Sequence, residues 1–273
     1  MTLGFYCKKD NITLLLNVGV MLMLLTIDVG NSDIVTILYD ENKEVLNFDR
    51  RKTIKKDCSK GYLEYVWAIK KLFNIDKVNY IVSCVVPSIQ TSLKNALEKE
   101  FMVKGDFIDY QSYPGISKLL NPPQDIGADL VASSVEVIKG YNQPAIIIDM
   151  GTATKVIVVD DNTIVGVAIM LGVEKTANAI VSSMPHLPKV DLKFPSNIVG
   201  QNTIESIQSG IMISTVAAIN GYTKLIEQYF NKKVAKVITG GISTLFIGEL
   251  EDFTYNANLV NEGLYTIYYN KEF

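Results

Sequence analysis

The sequence predicts an α/β protein built from two copies of one domain with a cleft between them. Two observations carry this. A hairpin with an Asp-x-Gly first turn occurs twice, and its aspartates, Asp28 and Asp149, stand 121 positions apart in a chain of 273 residues. Duplication of one domain is the economical explanation of a repeat at nearly half the chain length. In addition, short β-rich segments such as 34–39 and 156–159 alternate with longer stretches whose apolar residues recur at helical spacing, as in 60–73, 126–138 and 203–230.

Composition narrows the function classes. With 26 Lys and Arg against 29 Asp and Glu the formal charge is −3, and 48% of the residues are hydrophobic against 20% charged. Such a chain has ample apolar material for a core, which excludes intrinsic disorder, collagen and a disulfide mini-scaffold. The basic residues are scattered apart from short clusters such as 50–56, so no electrostatic footprint for nucleic acid is present. Small-molecule chemistry is the expected class. Cys7, Cys58 and Cys84 are odd in number and show neither CxxC nor a metal-ligand spacing with the only histidine, His186. That usage fits a reduced, cytoplasmic interior.

The elements follow in order. In residues 1–22, Lys8 and Lys9 precede an apolar run with the outline of a secretory signal. The run has no small-residue cleavage site, is interrupted by Asn17 and Gly19, and leads directly into Asp28-Val29-Gly30-Asn31. Residues 1–22 are therefore read as an N-terminal extension of unknown role. No stretch of roughly 18 apolar residues is clean enough to span a membrane. The first domain covers 23–144 and the second 145–273.

The first hairpin joins strand 24–27 through Asp28-Val29-Gly30-Asn31-Ser32 to strand 34–39, with an acidic Asx-type turn, Asp40-Glu41-Asn42, at its far end. A helix over 60–73 is predicted to turn Tyr62, Leu63, Val66, Trp67 and Leu72 toward the core. Pro122-Pro123-Gln124-Asp125 reads as the start of a helix with the stripe Ile126, Leu130, Val131, Val135 and Ile138. Asp129 falls in its early turn, where a carboxylate also complements the helix dipole in a purely structural role.

The second hairpin runs from 146–148 through Asp149-Met150-Gly151-Thr152-Ala153-Thr154 to 156–159, ending in Asp160-Asp161-Asn162. Ile204, Ile207, Ile211, Val216, Ile219, Leu225 and Ile226 predict helices that pack in the second domain or against a second subunit. Strand 234–238 then meets Thr239-Gly240-Gly241 at the mouth of a predicted helix, a junction that lets adenine or ribose lie against backbone, or simply turns the chain tightly. Tyr265, Tyr268, Tyr269 and Phe273 mark a final helix, and His186 is read as a surface or packing residue.

The chemistry of the paired turns follows from their residues. Glycine lets a backbone bend tightly and approach a ligand, leaving successive N–H groups free to converge on an anion. An aspartate just before it can hold Mg²⁺ directly or through water, while Asn31, Thr152 and nearby hydroxyls donate to phosphate oxygens. Two such turns facing one another would grip a triphosphate from both sides. Alone, each Asp-x-Gly also marks a plain hairpin turn.

Six motifs in one order carry a resemblance: Asp28-Val29-Gly30-Asn31-Ser32-Asp33, Ser83-Cys84-Val85-Val86-Pro87-Ser88, Asn121-Pro122 with Gly127-Ala128-Asp129, Asp149-Met150-Gly151-Thr152-Ala153-Thr154, Asn202-Thr203 with Ser209-Gly210, and Thr239-Gly240-Gly241. Over about 23–268 the chain resembles type III pantothenate kinase. The resemblance implies two ribonuclease H-like domains of the actin, sugar kinase and Hsp70-like ATPase superfamily, with ATP between them. It implies transfer of the ATP γ-phosphoryl to pantothenate, the first step toward coenzyme A, by a homodimer. It further implies that residues 28–35 (Asp28, Val29, Gly30, Asn31, Ser32, Asp33, Ile34 and Val35) bind ATP with Mg²⁺ at Asp28, and that Thr152, Gly240 and Gly241 bind ATP as well. By the same resemblance Asp149 holds a monovalent cation, K⁺ or NH₄⁺, and Asp129 is the general base. Gly127, Ala128, Asp129, Leu130 and Thr203 would contact the substrate, Thr203 across the dimer interface. No nucleic acid or membrane partner is expected.

The chain also departs from the family. Leu130 stands where the family has an arginine that clamps the pantothenate carboxylate, and losing such a charge-assisted contact costs about 1.5 to 3 kcal/mol. Leu119 stands where a substrate-contacting tyrosine is common, and Leu171-Gly172 replaces the usual Pro-Gly. These departures leave two alternatives: a nucleotide-binding regulatory relative without turnover, and a kinase for another small hydroxylated acceptor.

Overall fold

Side chains alternate across a strand, so the segment Leu24–Val29 can bury both of its faces, and it forms β1. Leu25, Ile27 and Val29 enter one apolar layer while Leu24 enters another. The chain turns into β2 (Asp33–Tyr39) and then β3 (Val45–Lys52), each antiparallel to its predecessor. Helix α1 (Ser59–Phe73) leads to β4 (Asn79–Cys84), and helix α2 (Pro87–Phe101) to the short β5 (Asp106–Phe107). The result is a five-stranded sheet of order β3-β2-β1-β4-β5 in which the last two strands run parallel to β1.

This arrangement comes from a computed structural model that describes residues 23–54 and 59–270. The expectations for 1–22, for Cys7 and Cys58, for Lys55 and Lys56 of the basic cluster and for Phe273 lie outside the described residues.

Between the two copies stand the short β6 (Ser117–Lys118) and helix α3 (Ala128–Gly140), and the second copy follows with β7 (Ala145–Met150), β8 (Ala153–Asp160) and β9 (Thr163–Leu171). After helices α4 (Val173–Ser183) and α5 (Thr203–Phe230) come β10 (Ala235–Thr239), β11 (Thr254–Tyr255) and helix α6 (Leu259–Tyr269). The second sheet has the order β11-β10-β7-β8-β9-β6. Without the added β6 it repeats the first strand for strand, with antiparallel and parallel pairs in the same places. The repeat seen in two hairpins extends to whole sheets, as the duplicated ribonuclease H-like fold requires.

Helices α1 and α2 cover one face of the first sheet, and α4 and α5 cover one face of the second. The two remaining sheet faces look toward each other across α3 and α6, which lie in the middle layer with Leu24, Ile37, Ile147, Ile157 and Val237. Gly263 makes that layer thin, since a Cβ there would stand 1.9 Å from the Ala132 carbonyl oxygen of α3. The chain crosses between halves to build this layer. Asn261 of α6 donates to Thr26 Oγ1 of β1 at 2.9 Å, and Glu136 of α3 accepts from Lys43 and Thr266, each at 2.5 Å.

Four local expectations change. Trp67 is 52% exposed rather than in the core, and the Lys71 ammonium sits 4.0 Å from its ring centroid, a cation–π contact on the outer face of α1. Leu72 is likewise exposed, because Tyr62, Tyr65, Val66, Ile69 and Phe73 form the buried stripe. No α-helix starts at the Gly240-Gly241 corner, where the chain instead makes two single-turn 3₁₀ segments, Ser243–Leu245 and Ile247–Glu249. The far hairpin turns also differ. Asp40 Oδ1 accepts from the backbone N–H of Asn42 and Glu44, an Asx turn, whereas Asp161 and Asn162 both take positive φ, which suits the twist of a tight hairpin. His186 is exposed in the segment after α4, and no described helix is long and apolar enough to cross a membrane.

Candidate active site

Strand alternation aims both hairpin aspartates the same way. In β1, Asp28 shares a face with Leu24 and Thr26, and in β7, Asp149 shares a face with Ala145 and Ile147; both faces look into the middle layer. Each aspartate stands near the C-terminal end of its strand, and the N-terminus of α3 brings Asp129 to them. Gly127 makes this approach possible. A Cβ at that position would lie 2.5 Å from Asp129 Oδ1, which turns back to accept from the Leu130 N–H at 2.8 Å.

A fourth group joins the three carboxylates. Lys155 of β8 pairs in register with Asp149, and its Nζ lies 2.6 Å from both Asp149 Oδ2 and Asp129 Oδ2. Burial pulls this ammonium toward its neutral form, but the Asp149 and Asp129 carboxylates together outweigh it and leave its pKa above the usual lysine value. Asp28 is pushed the other way. Its pKa rises to about 7, first because it is buried and second because Asp129 is close; Lys155 and the Ser83 hydroxyl of β4 draw it down, and Asp149 adds to the rise. Among the described residues the buried Asp28 Oδ1 has no hydrogen-bond partner.

The two turns meet beside this group. Ser32 Oγ and Thr152 Oγ1 lie 2.7 Å apart across 120 positions of sequence. The first turn is closed by Gly30 N–H to Asp33 O at 3.0 Å and braced by Thr53, whose hydroxyl donates to Gly30 O at 2.7 Å. The second is closed by Gly151 N–H to Ala153 O at 3.1 Å and roofed by Gly172, where a Cβ would stand 2.5 Å from the carbonyl oxygens of Gly151 and Thr152. Gly240 has φ +97°, and a Cβ on it would lie 2.4 Å from Met150 O. The Thr239-Gly240-Gly241 corner is thus wedged against the strand end that leads into the second turn. From the first half, the Arg50 guanidinium of β3 reaches to 3.1 Å from where a Gly241 Cβ would be.

The candidate residues therefore divide. Asp28, Asp129 and Asp149 converge, Ser32 and Thr152 touch, and Gly240 and Gly241 flank the second turn. Asn31 is exposed at the tip of the first turn, with Gly30 half-buried beside it. Asp33 is held by Lys52 at 2.8 Å. Val29 and Ile34 are fully buried in the apolar layer under α1 and α2, so only their backbone can face a ligand, and Val35 packs at the edge of the middle layer. Ala128 and Leu130 are buried there too. Thr203 is exposed at the start of α5, whose Asn202 cap accepts from Glu205 N–H, and among the described residues it bonds to none of the three aspartates.

Sequence reading missed Lys155, Arg50 and the position of Ser83 opposite Asp28. For Lys155 a signal existed. In a hairpin whose connection is the three residues 151–153, residue 155 falls opposite 149, so a lone lysine in a β-rich run was placed to face the aspartate.

The residues present fit Mg²⁺ in part. Among the described residues no group of three or more His, Cys, Asp or Glu side chains is arranged to hold a metal ion, yet Mg²⁺ ordinarily takes one or two carboxylates plus phosphates and water, and the unpartnered Asp28 Oδ1 suits that role. A monovalent cation beside Asp149 does not fit, because the Lys155 ammonium already occupies the space between Asp149 and Asp129.

Known proteins resemble this chain over nearly all of its length. A family profile described as type III pantothenate kinase matches residues 24–225. A type III pantothenate kinase of Acholeplasma laidlawii is 32% identical over 248 residues, covering 90% of this chain and 98% of that one. One of Fusobacterium nucleatum is 31% identical over 253 residues, with the same coverage. Among solved structures, the activator of the 2-hydroxyisocaproyl-CoA dehydratase from Clostridium difficile shares the fold with a TM-score of 0.50 at 13% identity, covering 92% of this chain and 96% of that one.

Proposed function

Because the chain belongs to the type III pantothenate kinase family, we propose that it transfers the γ-phosphoryl group of ATP to the primary hydroxyl of pantothenate, giving 4′-phosphopantothenate and ADP. The observation that supports this reading most is the convergence of Asp129 with Asp28 and Asp149 beside the touching turns of Ser32 and Thr152. Phosphoryl transfer needs positioning and charge neutralisation more than covalent help from the protein. The two turns offer backbone N–H groups and hydroxyls to the phosphates from opposite sides, and the Gly240-Gly241 corner leaves backbone open to the nucleoside. Asp129 takes the proton of the attacking hydroxyl as its oxygen bonds to the γ-phosphorus and the bond to the β-phosphate oxygen breaks. Mg²⁺, when bound at Asp28 with the phosphates, supplies positive charge to the transferring group.

The reading extends to a homodimer in the cytoplasm. Ile204, Leu225 and Tyr229 of α5 are 49%, 63% and 78% exposed, and Ile169 and Leu171 at the end of β9 are 70% and 59% exposed. A second copy covering apolar residues of this kind would bury them and bring Thr203 toward the other subunit's substrate. The regulatory and other-acceptor alternatives are not favoured, since the kinship to a pantothenate kinase runs over 98% of that relative.

The test is ADP release by the purified protein with ATP, Mg²⁺ and either pantothenate or a panel of small alcohols. Turnover with pantothenate is expected. Turnover only with another alcohol, or ATP binding with no turnover at all, would overturn the reading.

A further inference from the structure

Three carboxylates converge in this site, and one ammonium answers them. The Lys155 Nζ is 2.6 Å from Asp129 Oδ2 and 2.6 Å from Asp149 Oδ2, and its side chain is only 17% exposed. The position is set by the fold rather than by a mobile surface chain, because Lys155 sits opposite Asp149 in the β7–β8 ladder and both flanking residues, Thr154 and Val156, are buried. Asp28, the third acid, faces the same point, its Oδ1 without a hydrogen-bond partner among the described residues. Chemically, a lysine head group is an alkylated ammonium ion with the charge of K⁺ and similar reach to oxygen. A free monovalent cation added here would stand within contact distance of Nζ. Two like charges about 4 Å apart repel by about 4 kcal/mol at the effective dielectric of such a site, enough to exclude the ion.

We propose that Lys155 is a built-in monovalent cation: its ammonium takes the place beside Asp149 that a dissolved K⁺ or NH₄⁺ would fill, so this protein works without either. The inference rests on the kinase reading, in which Asp129 is the base and the cation beside it balances and orients the acids. Lys155 acts as a positioning residue. It holds the Asp129 carboxylate from the Oδ2 side while the helix backbone holds Oδ1, fixing the direction in which the acid meets the hydroxyl.

The experiment compares the wild-type protein with Lys155→Thr in buffers free of K⁺ and NH₄⁺, titrated with KCl against NaCl at matched ionic strength. Two readouts are taken: pantothenate-dependent ADP release, and the thermal midpoint of the protein without nucleotide. For the wild type, KCl and NaCl give the same rate and the same midpoint. Lys155→Thr, which leaves Asp129 and Asp149 facing each other unneutralised, loses about tenfold or more in rate and regains part of it in KCl, and KCl alone raises its midpoint. Activation of the wild type by KCl over NaCl, or a KCl-specific rise in its midpoint, overturns the proposal, as does a Lys155→Thr protein that stays fully active and indifferent to K⁺. Should the variant fail to fold, the wild-type titration decides alone. If neither protein turns over pantothenate but KCl protects only the variant, the kinase reading fails and the built-in cation stands.

Discussion

Ser32 and Thr152 are 120 positions apart in sequence, and their hydroxyl oxygens lie 2.7 Å from each other. Each belongs to the first turn of one copy of the repeated hairpin, so the contact joins the two halves at the point where phosphate is expected. One hydroxyl donates to the other here. On the proposed kinase reading, phosphate oxygens of ATP would take the place of that partner.

Removing one hydroxyl should therefore weaken ATP binding more than it harms the fold. Ser32→Ala and Thr152→Ala are each expected to raise KM for ATP by about tenfold, the loss of one hydrogen bond to a charged group, with little change in KM for pantothenate. Steady-state kinetics with each substrate varied in turn check this. An unchanged KM for ATP in both variants would remove the turns from the phosphate site.

Asp129→Asn keeps the shape of the side chain but removes the proton acceptor. The expected result is a fall in kcat of about a hundred- to ten-thousandfold with KM for ATP within a few-fold of wild type. Nucleotide binding followed by calorimetry separates loss of chemistry from loss of folding. A kcat within tenfold of wild type would mean that another group takes the proton.

Asp28 makes stability depend on pH. Its carboxyl rises from an ordinary value of 3.8 to about 7, chiefly through burial. Below the ordinary value the acid is protonated both folded and unfolded, and no penalty exists. As pH climbs toward 7 the unfolded chain ionises freely while the folded one resists, so stability falls and levels off above 7. The cost is on the order of a few kcal/mol. Asp28→Asn removes it: the variant should be more stable than wild type at pH 8 and about equal at pH 4, as urea unfolding without Mg²⁺ will show, while losing kinase activity.

The fold was largely legible because it rests on local patterns. The two Asp-x-Gly hairpins and the stripe Leu130, Val131, Val135 and Ile138 are written in residues a few positions apart, and they appear as β1–β2, β7–β8 and α3, although α3 starts at Ala128, after a 3₁₀ turn over Pro123–Asp125 and the Gly127 cap, rather than at Pro122. Apolar character does not place Trp67 in the core, because the tyrosines at 62 and 65 fill the layer and the indole carries Lys71 outside. Leu130 shows the limit more sharply. Motif comparison sets it beside the substrate while helical periodicity sets it in an apolar stripe; the residue is 9% exposed and belongs to the middle apolar layer, and choosing between the two readings depends on where α6 and the second sheet lie. Neither the Arg50 approach to Gly241 nor the Lys155 bridge to Asp129 could be read locally, since each joins segments that only the folded chain brings together.

Leu130→Ala gives that difference a measurable form. If the side chain is a core residue, truncation costs about 2 to 5 kcal/mol of folding stability, the range for buried leucines, while KM for pantothenate moves less than threefold. A small stability loss with a large rise in KM would place Leu130 at the substrate instead.

Gly240 carries the most demanding backbone requirement in the site. Its φ of +97° lies where L-residues with a Cβ are strained, and the added carbon would stand 2.4 Å from Met150 O and 2.6 Å from Met150 N, both backbone atoms that cannot rotate aside. Met150 O also accepts from Ile242 N–H at 3.2 Å, and Met150 directly precedes Gly151 of the second turn. Gly240→Ala must push the β10 corner away from that strand end, and the displacement falls on the turn that holds Thr152. We expect a loss of about 1 to 3 kcal/mol from backbone strain together with weakened ATP binding, read by urea unfolding and by nucleotide calorimetry on the folded fraction. Gly248→Ala is the control: a Cβ there meets nothing within 4 Å, and both measurements should stay near wild type. Equal behaviour of the two variants would show that the Gly240 corner is not pinned against the nucleotide turn.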